Sequence, residues 1–192
     1  MHTVRWPLLL LFLLWPVPHG PWAAAFALGD REQGEAIAEG TRSVFASDFG
    51  AEWTVKNASG DSLTVMTPFH RLALAARNAA FRKEPLAPRD IETLVRNTSG
   101  TLELWATLHG TASGFARFYA PTLVPATGTP IKPSFVQNER TALAEGGGRY
   151  AARCLYVFPT GGLSPTGRVT LVVRSQTEAQ IATFTVDLAS MR

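Results

Sequence analysis

From Thr101 onward the apolar residues recur at every second position, and this period constrains the fold more than any other feature of the chain. Leu102, Leu104, Ala106 and Leu108 alternate with Glu103, Trp105, Thr107 and His109. Successive side chains of a strand point to opposite faces, so this segment has one face for a core and one for solvent. Tyr150, Ala152, Cys154, Tyr156 and Phe158 repeat the pattern in a strand expected over residues 149–158. Two more strands are expected over 168–174 and 180–188, set apart by Pro159-Thr160-Gly161-Gly162 and Ser175-Gln176-Thr177-Glu178. A further strand is expected over 115–124, after the turn Gly110-Thr111-Ala112-Ser113-Gly114. Residues 125–148 show no clear period and read as a long loop or an additional, poorly patterned strand.

The first hundred residues have a different grammar. Residues 29–44 read as a polar helix with Glu32, Glu35 and Glu39 weighted toward its start, where the helix dipole favours acids. Its apolar stripe is thin: Ala36, Ile37 and Ala38. Apolar alternation in 53–56 and 62–66, around Asn57-Ala58-Ser59-Gly60-Asp61, predicts a hairpin. Thr67-Pro68 opens a helix, with Thr67 as N-cap and Pro68 at the first helical position, running to about Arg82. Phe69, Leu72, Ala73, Ala76 and Ala80 line one face, and the alanines let it lie close against a partner. A short helix follows Pro88 through Ile91, Leu94 and Val95 and stops near Gly100. The expected class is α+β. Helices and a β-hairpin in 26–100 are packed on, or precede, an antiparallel immunoglobulin-like β-sandwich in 101–192.

The N-terminus reads as an export signal over residues 1–25. One basic residue, Arg5, precedes the uncharged run Trp6-Pro7-Leu8-Leu9-Leu10-Leu11-Phe12-Leu13-Leu14-Trp15. Pro16, Pro18 and then Ala23-Ala24-Ala25-Phe26-Ala27 follow. Cleavage is expected after Ala25 or Ala27, with the product periplasmic or extracellular. The run is shorter than the roughly 20 residues a membrane-spanning helix needs. An exported domain held by disulfides carries cysteines in pairs, and here Cys154 stands alone. The fold must therefore rest on its hydrophobic core, with Cys154 as a small buried hydrophobe on an apolar strand face.

Charge and motifs exclude more than they assign. A formal net charge of +3, with scattered basic residues, is no nucleic-acid signature. Two histidines follow the leader, His70 and His109. Glu103 shares a strand face with His109, but six residues at about 3.3 Å each put them roughly 20 Å apart, too far for one metal. No metal, cofactor or catalytic residue is therefore assigned. There is no G-x-S-x-G, no dinucleotide fingerprint and no P-loop. Asp48-Phe49-Gly50 matches a kinase tripeptide with nothing else of that set around it.

The candidate binding residues are Arg71 and Arg82 on the polar side of the Thr67 helix, Arg149 and Arg153 on one strand face, and Phe135 and Arg140 in the 125–148 stretch. Arg71 and Arg82 would suit an acidic partner or, weakly, an anionic membrane surface. Arg149 and Arg153 read first as protection of an exposed strand edge, and otherwise as an anion-binding pair. Phe135 between polar residues would suit a contact surface. Together these point to an exported, non-catalytic binding or accessory module that recognises a protein or envelope component. The alternative is a small hydrolase or small-ligand-binding protein with a site assembled near His70 and His109. Asn57-Ala58-Ser59 and Asn97-Thr98-Ser99 match the N-glycosylation triplet.

Overall fold

A computed structural model describes residues 24–192, so the apolar run and nearly all of the expected leader lie outside the described residues. Helix α1 spans Asp30–Arg42, and strands β1 (Thr54–Lys56) and β2 (Ser62–Met66) form the expected hairpin. Helices α2 (Pro68–Phe81) and α3 (Pro88–Thr98) follow. The chain continues through β3 (Thr101–Gly110), β4 (Ala120–Pro125), β5 (Phe135–Gln137), β6 (Leu143–Gly146), β7 (Arg149–Pro159), β8 (Arg168–Arg174) and β9 (Gln180–Asp187).

These nine strands make two antiparallel sheets. The larger has the order β1-β2-β3-β7-β5, with β6 also on β7; the smaller is β4-β8-β9. The alternation read from the sequence decides which side of each sheet is dry. Leu63 and Val65, Leu102 to Leu108, and Ala152 to Phe158 bury the even or odd set of each strand. Leu123, Val169, Leu171, Val173, Ala182, Phe184 and Val186 do the same from the smaller sheet, and all belong to one core. The result is a mixed helix and antiparallel-sheet protein in sandwich form. Cys154 is fully buried in it, and burial raises its thiol pKa.

The sheet crosses the division expected at residue 100. β2 pairs with β3 from Ser62↔Thr107 to Met66↔Glu103. A two-stranded hairpin is marginal alone, and β3 supplies the third strand that lets its apolar face be buried.

Two expectations about the later strands are corrected, and the open alternative for 125–148 is resolved. Residues 112–119 form successive turns rather than the start of a strand: Phe115, Arg117 and Tyr119 donate to the carbonyls of Ala112, Gly114 and Ala116. Phe115 folds its ring back over Gly110, where a Cβ would meet ring carbons at 2.4 Å. β4 therefore begins only at Ala120, and its Pro121 and Pro125 sit on a sheet edge, where missing N–H groups cost no ladder bond. The 125–148 stretch contributes both loop and the short strands β5 and β6. These lie in succession along β7, which has β3 on its other side, so β7 is an interior strand. Arg149 and Arg153 thus guard no exposed edge, and 149–158 cannot accept a partner's strand.

The helices pack through very small residues. Thr67 caps α2, its hydroxyl accepting from the His70 N–H, and the same hydroxyl donates to the Arg192 carbonyl. Gly40 of α1 touches the α2 backbone at Ala73. On α2, Ala79 rather than Ala80 is the buried alanine of the last turn. At the start of the described chain, Ala24 is buried and donates to the carbonyls of Leu188 and Pro165 at 2.9 and 3.2 Å.

Candidate functional site

The outward face of the larger sheet, opposite the core, meets α2 and the 47–51 loop in an open cleft of about 600 Å³. Helical spacing brings His70, Arg71, Leu74 and Arg77 to its wall. β3 contributes Trp105 and β7 contributes Arg153, both from the solvent-facing set of their strands. Met66 and Phe49 complete an apolar lining, and Asp48 adds a carboxylate.

The three guanidinium groups are held very differently. Arg77 is committed to structure: Nε donates to the Ser43 carbonyl and Nη2 to the Ala46 carbonyl, both at 3.0 Å, and its plane lies 4.8 Å over Phe49. It ties the loop carrying Asp48 and Phe49 to α2. Arg71 makes one ionic contact, Nη1 to Glu103 Oε1 at 3.4 Å, while its Nε is buried without a hydrogen-bond partner. The same Glu103 oxygen accepts from Trp105 Nε1 at 2.5 Å. Arg153 is exposed, with its guanidinium 5.3 Å over the Trp105 ring; its backbone N–H donates to Glu139 Oε2 at 2.6 Å, and among the described residues no carboxylate forms an ion pair with the guanidinium.

His70 is the buried polar group beneath this cleft. Its ring stacks on Trp53 at 4.1 Å, with Phe49 edge-on at 5.9 Å. Nδ1 lies 3.0 Å from the Val65 carbonyl, an acceptor only, so the proton is assigned to Nδ1. Burial pushes the imidazole pKa down to about 4, outweighing the opposing effect of that bond. At neutral pH His70 is an uncharged group with Nε2 as an acceptor, 3.8 Å from where a Cβ on Gly50 would stand.

His109 lies elsewhere, toward the far end of β3. Nδ1 is 3.0 Å from Asp61 Oδ1 and Nε2 is 3.6 Å from Glu145 Oε2. Asp61 also accepts from the His109 backbone N–H and from Asn57 Nδ2, and Arg149 pairs with Glu145 at 3.3 Å. The cluster fastens the β1–β2 turn to the β6–β7 hairpin. The two histidines thus share no cleft. Among the described residues, neither ring is hydrogen-bonded to a serine, threonine or cysteine side chain. The site expected to assemble around both of them does not form. No group of three or more His, Cys, Asp or Glu among the described residues is placed to hold a metal ion.

The other candidates separate as well. Arg71 and Arg82 do not share a surface: Arg71 enters the cleft, whereas Arg82 is exposed near the C-terminus of α2 and pairs with Glu84 at 3.3 Å. Phe135 stands on the outward face of β5, 49% exposed. Arg140 is in the loop before β6, its carbonyl accepting from Arg117 Nη2 at 3.5 Å. Of the six arginine and phenylalanine candidates, Arg71 and Arg153 converge. Trp105, Phe49 and Arg77 carry the cleft with them and were not among the candidates. A signal for Trp105 was present, since a tryptophan on the polar set of an amphipathic strand is out of pattern. Asp48-Phe49-Gly50, meaningless as a kinase motif, supplies the cleft's rim.

No protein-family model matches the chain, and no curated protein matches it. Among solved structures, a protein from Burkholderia pseudomallei described as a novel protein of unknown function is similar at a TM-score of 0.43 and 8% identity, covering 85% of this chain and 92% of that one. The IgNAR antibody domain C1 is similar at 0.30 and 12% identity, covering 46% of this chain and 76% of its own. The IgNAR domain C3 is similar at 0.33 and 11% identity, covering 70% and 96%. Similarity at this level speaks to neither family nor activity.

Proposed function

We propose that this chain is an exported, non-catalytic binding module that recognises a protein or envelope component with the outward face of its larger sheet. Its two sheets, in this reading, serve as an immunoglobulin-like scaffold. The observation that carries the proposal is the Arg71–Trp105–Arg153 cleft: two under-partnered cations beside an aromatic ring, on an open surface and on rigid elements. Arginine and tryptophan are the side chains that most often dominate recognition surfaces. For a hydrolase reading, no serine, threonine or cysteine side chain among the described residues is hydrogen-bonded to a histidine ring, and His70, neutral and buried, is a weak base at pH 7. A small-ligand reading shares the cleft, whose volume falls in the range of ligand pockets.

The test is capture from the native exported fraction with tagged protein, gentle cross-linking and mass spectrometry, comparing wild type with Trp105→Ala. A reproducible partner, lost in a Trp105→Ala protein of unchanged melting temperature, supports the outward face. Equal capture by both moves recognition elsewhere. No partner with abundant folded protein in its native fraction sinks the module reading.

A further inference from the structure

The cleft opens onto a surface with a definite polarity. Across the register, Trp105 pairs with Leu155, while Glu103 pairs with Val157 and Val157 with Phe135. Paired residues share a face, so a half-buried apolar path runs from the arginine cleft across β7 to the exposed Phe135. Two strand spacings separate β3 from β5, and Phe135 lies two residues along from the row of Trp105 and four along from Arg153, which puts it about 12 to 14 Å from them. The cationic end and the apolar end thus lie about four residues of extended chain apart.

The charge at the cationic end is unbalanced. Arg71, Arg77 and Arg153 face two carboxylates in the cleft, Asp48 and Glu103, with His70 neutral at pH 7. The Glu139 carboxylate, outside the cleft lining, is taken up by the Arg153 backbone N–H at 2.6 Å. Glu103 already shows what this wall accepts: its carboxylate sits between the Trp105 indole N–H and Arg71. Arg153, its guanidinium carbon 5.3 Å from the Trp105 ring centre, offers its side-chain donors to a second carboxylate. The open cleft and its continuation to Phe135 suit an extended chain better than a compact molecule.

Resting on the reading above, we propose that the partner is a polypeptide presenting a carboxylate to Arg153 and Arg71 and, about four residues away, an apolar side chain to Phe135. The carboxylate belongs to an aspartate, a glutamate or a free C-terminus.

The probes are fluorescein-labelled octapeptides with a glutamate and a phenylalanine four residues apart and an amidated C-terminus, read by fluorescence anisotropy on the full chain. One control carries glutamine for the glutamate. A second carries serine for the phenylalanine. A third has no glutamate but a free C-terminal carboxylate. Loss of the carboxylate is expected to weaken binding about tenfold, the size of one charge-assisted contact. Arg153→Gln and Arg71→Gln, with Arg153→Lys as a charge-preserving companion, are expected to weaken the glutamate peptide and leave the glutamine peptide unchanged. Phe135→Ser is expected to weaken only peptides that carry phenylalanine.

Equal binding of the glutamate and glutamine peptides by folded protein overturns the proposal. So does an Arg153→Gln effect of the same size on both, or no binding of any peptide at millimolar concentration. Competition by benzoate as strong as by the peptide overturns the polypeptide part in favour of a small carboxylate. Free-carboxylate binding equal to that of the internal glutamate peptide supports the proposal with a C-terminus as source. If Trp105-dependent capture persists while these peptides fail, the ligand class is wrong and the surface is right; if both fail, the surface reading falls as well.

Discussion

Replacing Gly40 by alanine is expected to destabilise the protein, although the same change in a free helix stabilises it. Gly40 sits in the last turns of α1, against α2. A Cβ there would stand 2.0 Å from the Ala73 carbonyl oxygen, 2.8 Å from the Ala73 carbonyl carbon and 2.9 Å from the Arg77 nitrogen. All three are backbone atoms, so no side chain can swing aside. Ordinary contact begins near 3.4 Å, leaving the helices to part by more than 1 Å. Such a shift unseats Ala36, the other buried residue of α1. Overpacking of this kind costs about 1–3 kcal/mol, and rigid neighbours put the cost at the upper end. Against it stands alanine's helix propensity, worth about 1 kcal/mol. A net loss of about 1–2 kcal/mol follows from the two. Gly34, in the same helix with nothing within 4 Å of its built Cβ, is the matched control. Gly34→Ala is expected to gain about 0.5–1 kcal/mol. Urea unfolding followed by circular dichroism, with midpoints compared at constant slope, reads both. A Gly40→Ala protein as stable as Gly34→Ala would refute the close helix contact.

Further outcomes follow from buried polar groups. His70 has its pKa lowered by burial from 6.5 to about 4, so the unfolded chain takes up a proton first as pH falls. Stability attributable to His70 is complete above about pH 6.5 and is lost as pH falls toward 4, by about 3 kcal/mol in all. Urea midpoints between pH 7.5 and 4.5 are expected to fall less in His70→Gln than in wild type; parallel slopes would count against a buried neutral imidazole. Asp61→Ala leaves the donors of Asn57 and His109 unmet and is expected to cost about 2 kcal/mol, measured by thermal unfolding. An unchanged melting temperature would show that the Asp61 cluster does not hold the hairpin turn. Cys154, buried with its thiol pKa raised, is expected to resist a thiol reagent in native buffer and react at once in denaturant. N-terminal sequencing of the protein from its native source tests the proposed processing: a start at Phe26 would mean loss of the buried Ala24 and its two carbonyl contacts, and a start at Met1 would refute the proposed leader.

Local pattern, by itself, determined most of the elements. Period two located β3, β7, β8 and β9 because alternation is a property of neighbouring residues. Thr67-Pro68 marked the start of α2 because a cap acts over three residues. The misreadings share one cause. Residues 115–119 carry strand-like composition, yet the Phe115 ring folding over Gly110 closes them into turns. β5 and β6 are three and four residues long and exposed at every position, so their own sequence has no buried set to reveal them. Only β7's free side makes them strands.

The cleft belongs entirely to tertiary structure. The sequence determined that Trp105 and Arg153 face away from the core, and that Arg71 lies in the first turns of a helix. Their meeting required β3 to pair with β7 in one register and α2 to return over β2 with the 47–51 loop beside it. Residues 34 to 82 positions apart thereby became neighbours. Register and helix placement are set by the burial of the opposite face, whose packing is a long-range sum over both sheets. A chain read locally can name the cations and the ring; only the folded core decides that they share a wall, and that His70 and His109 do not.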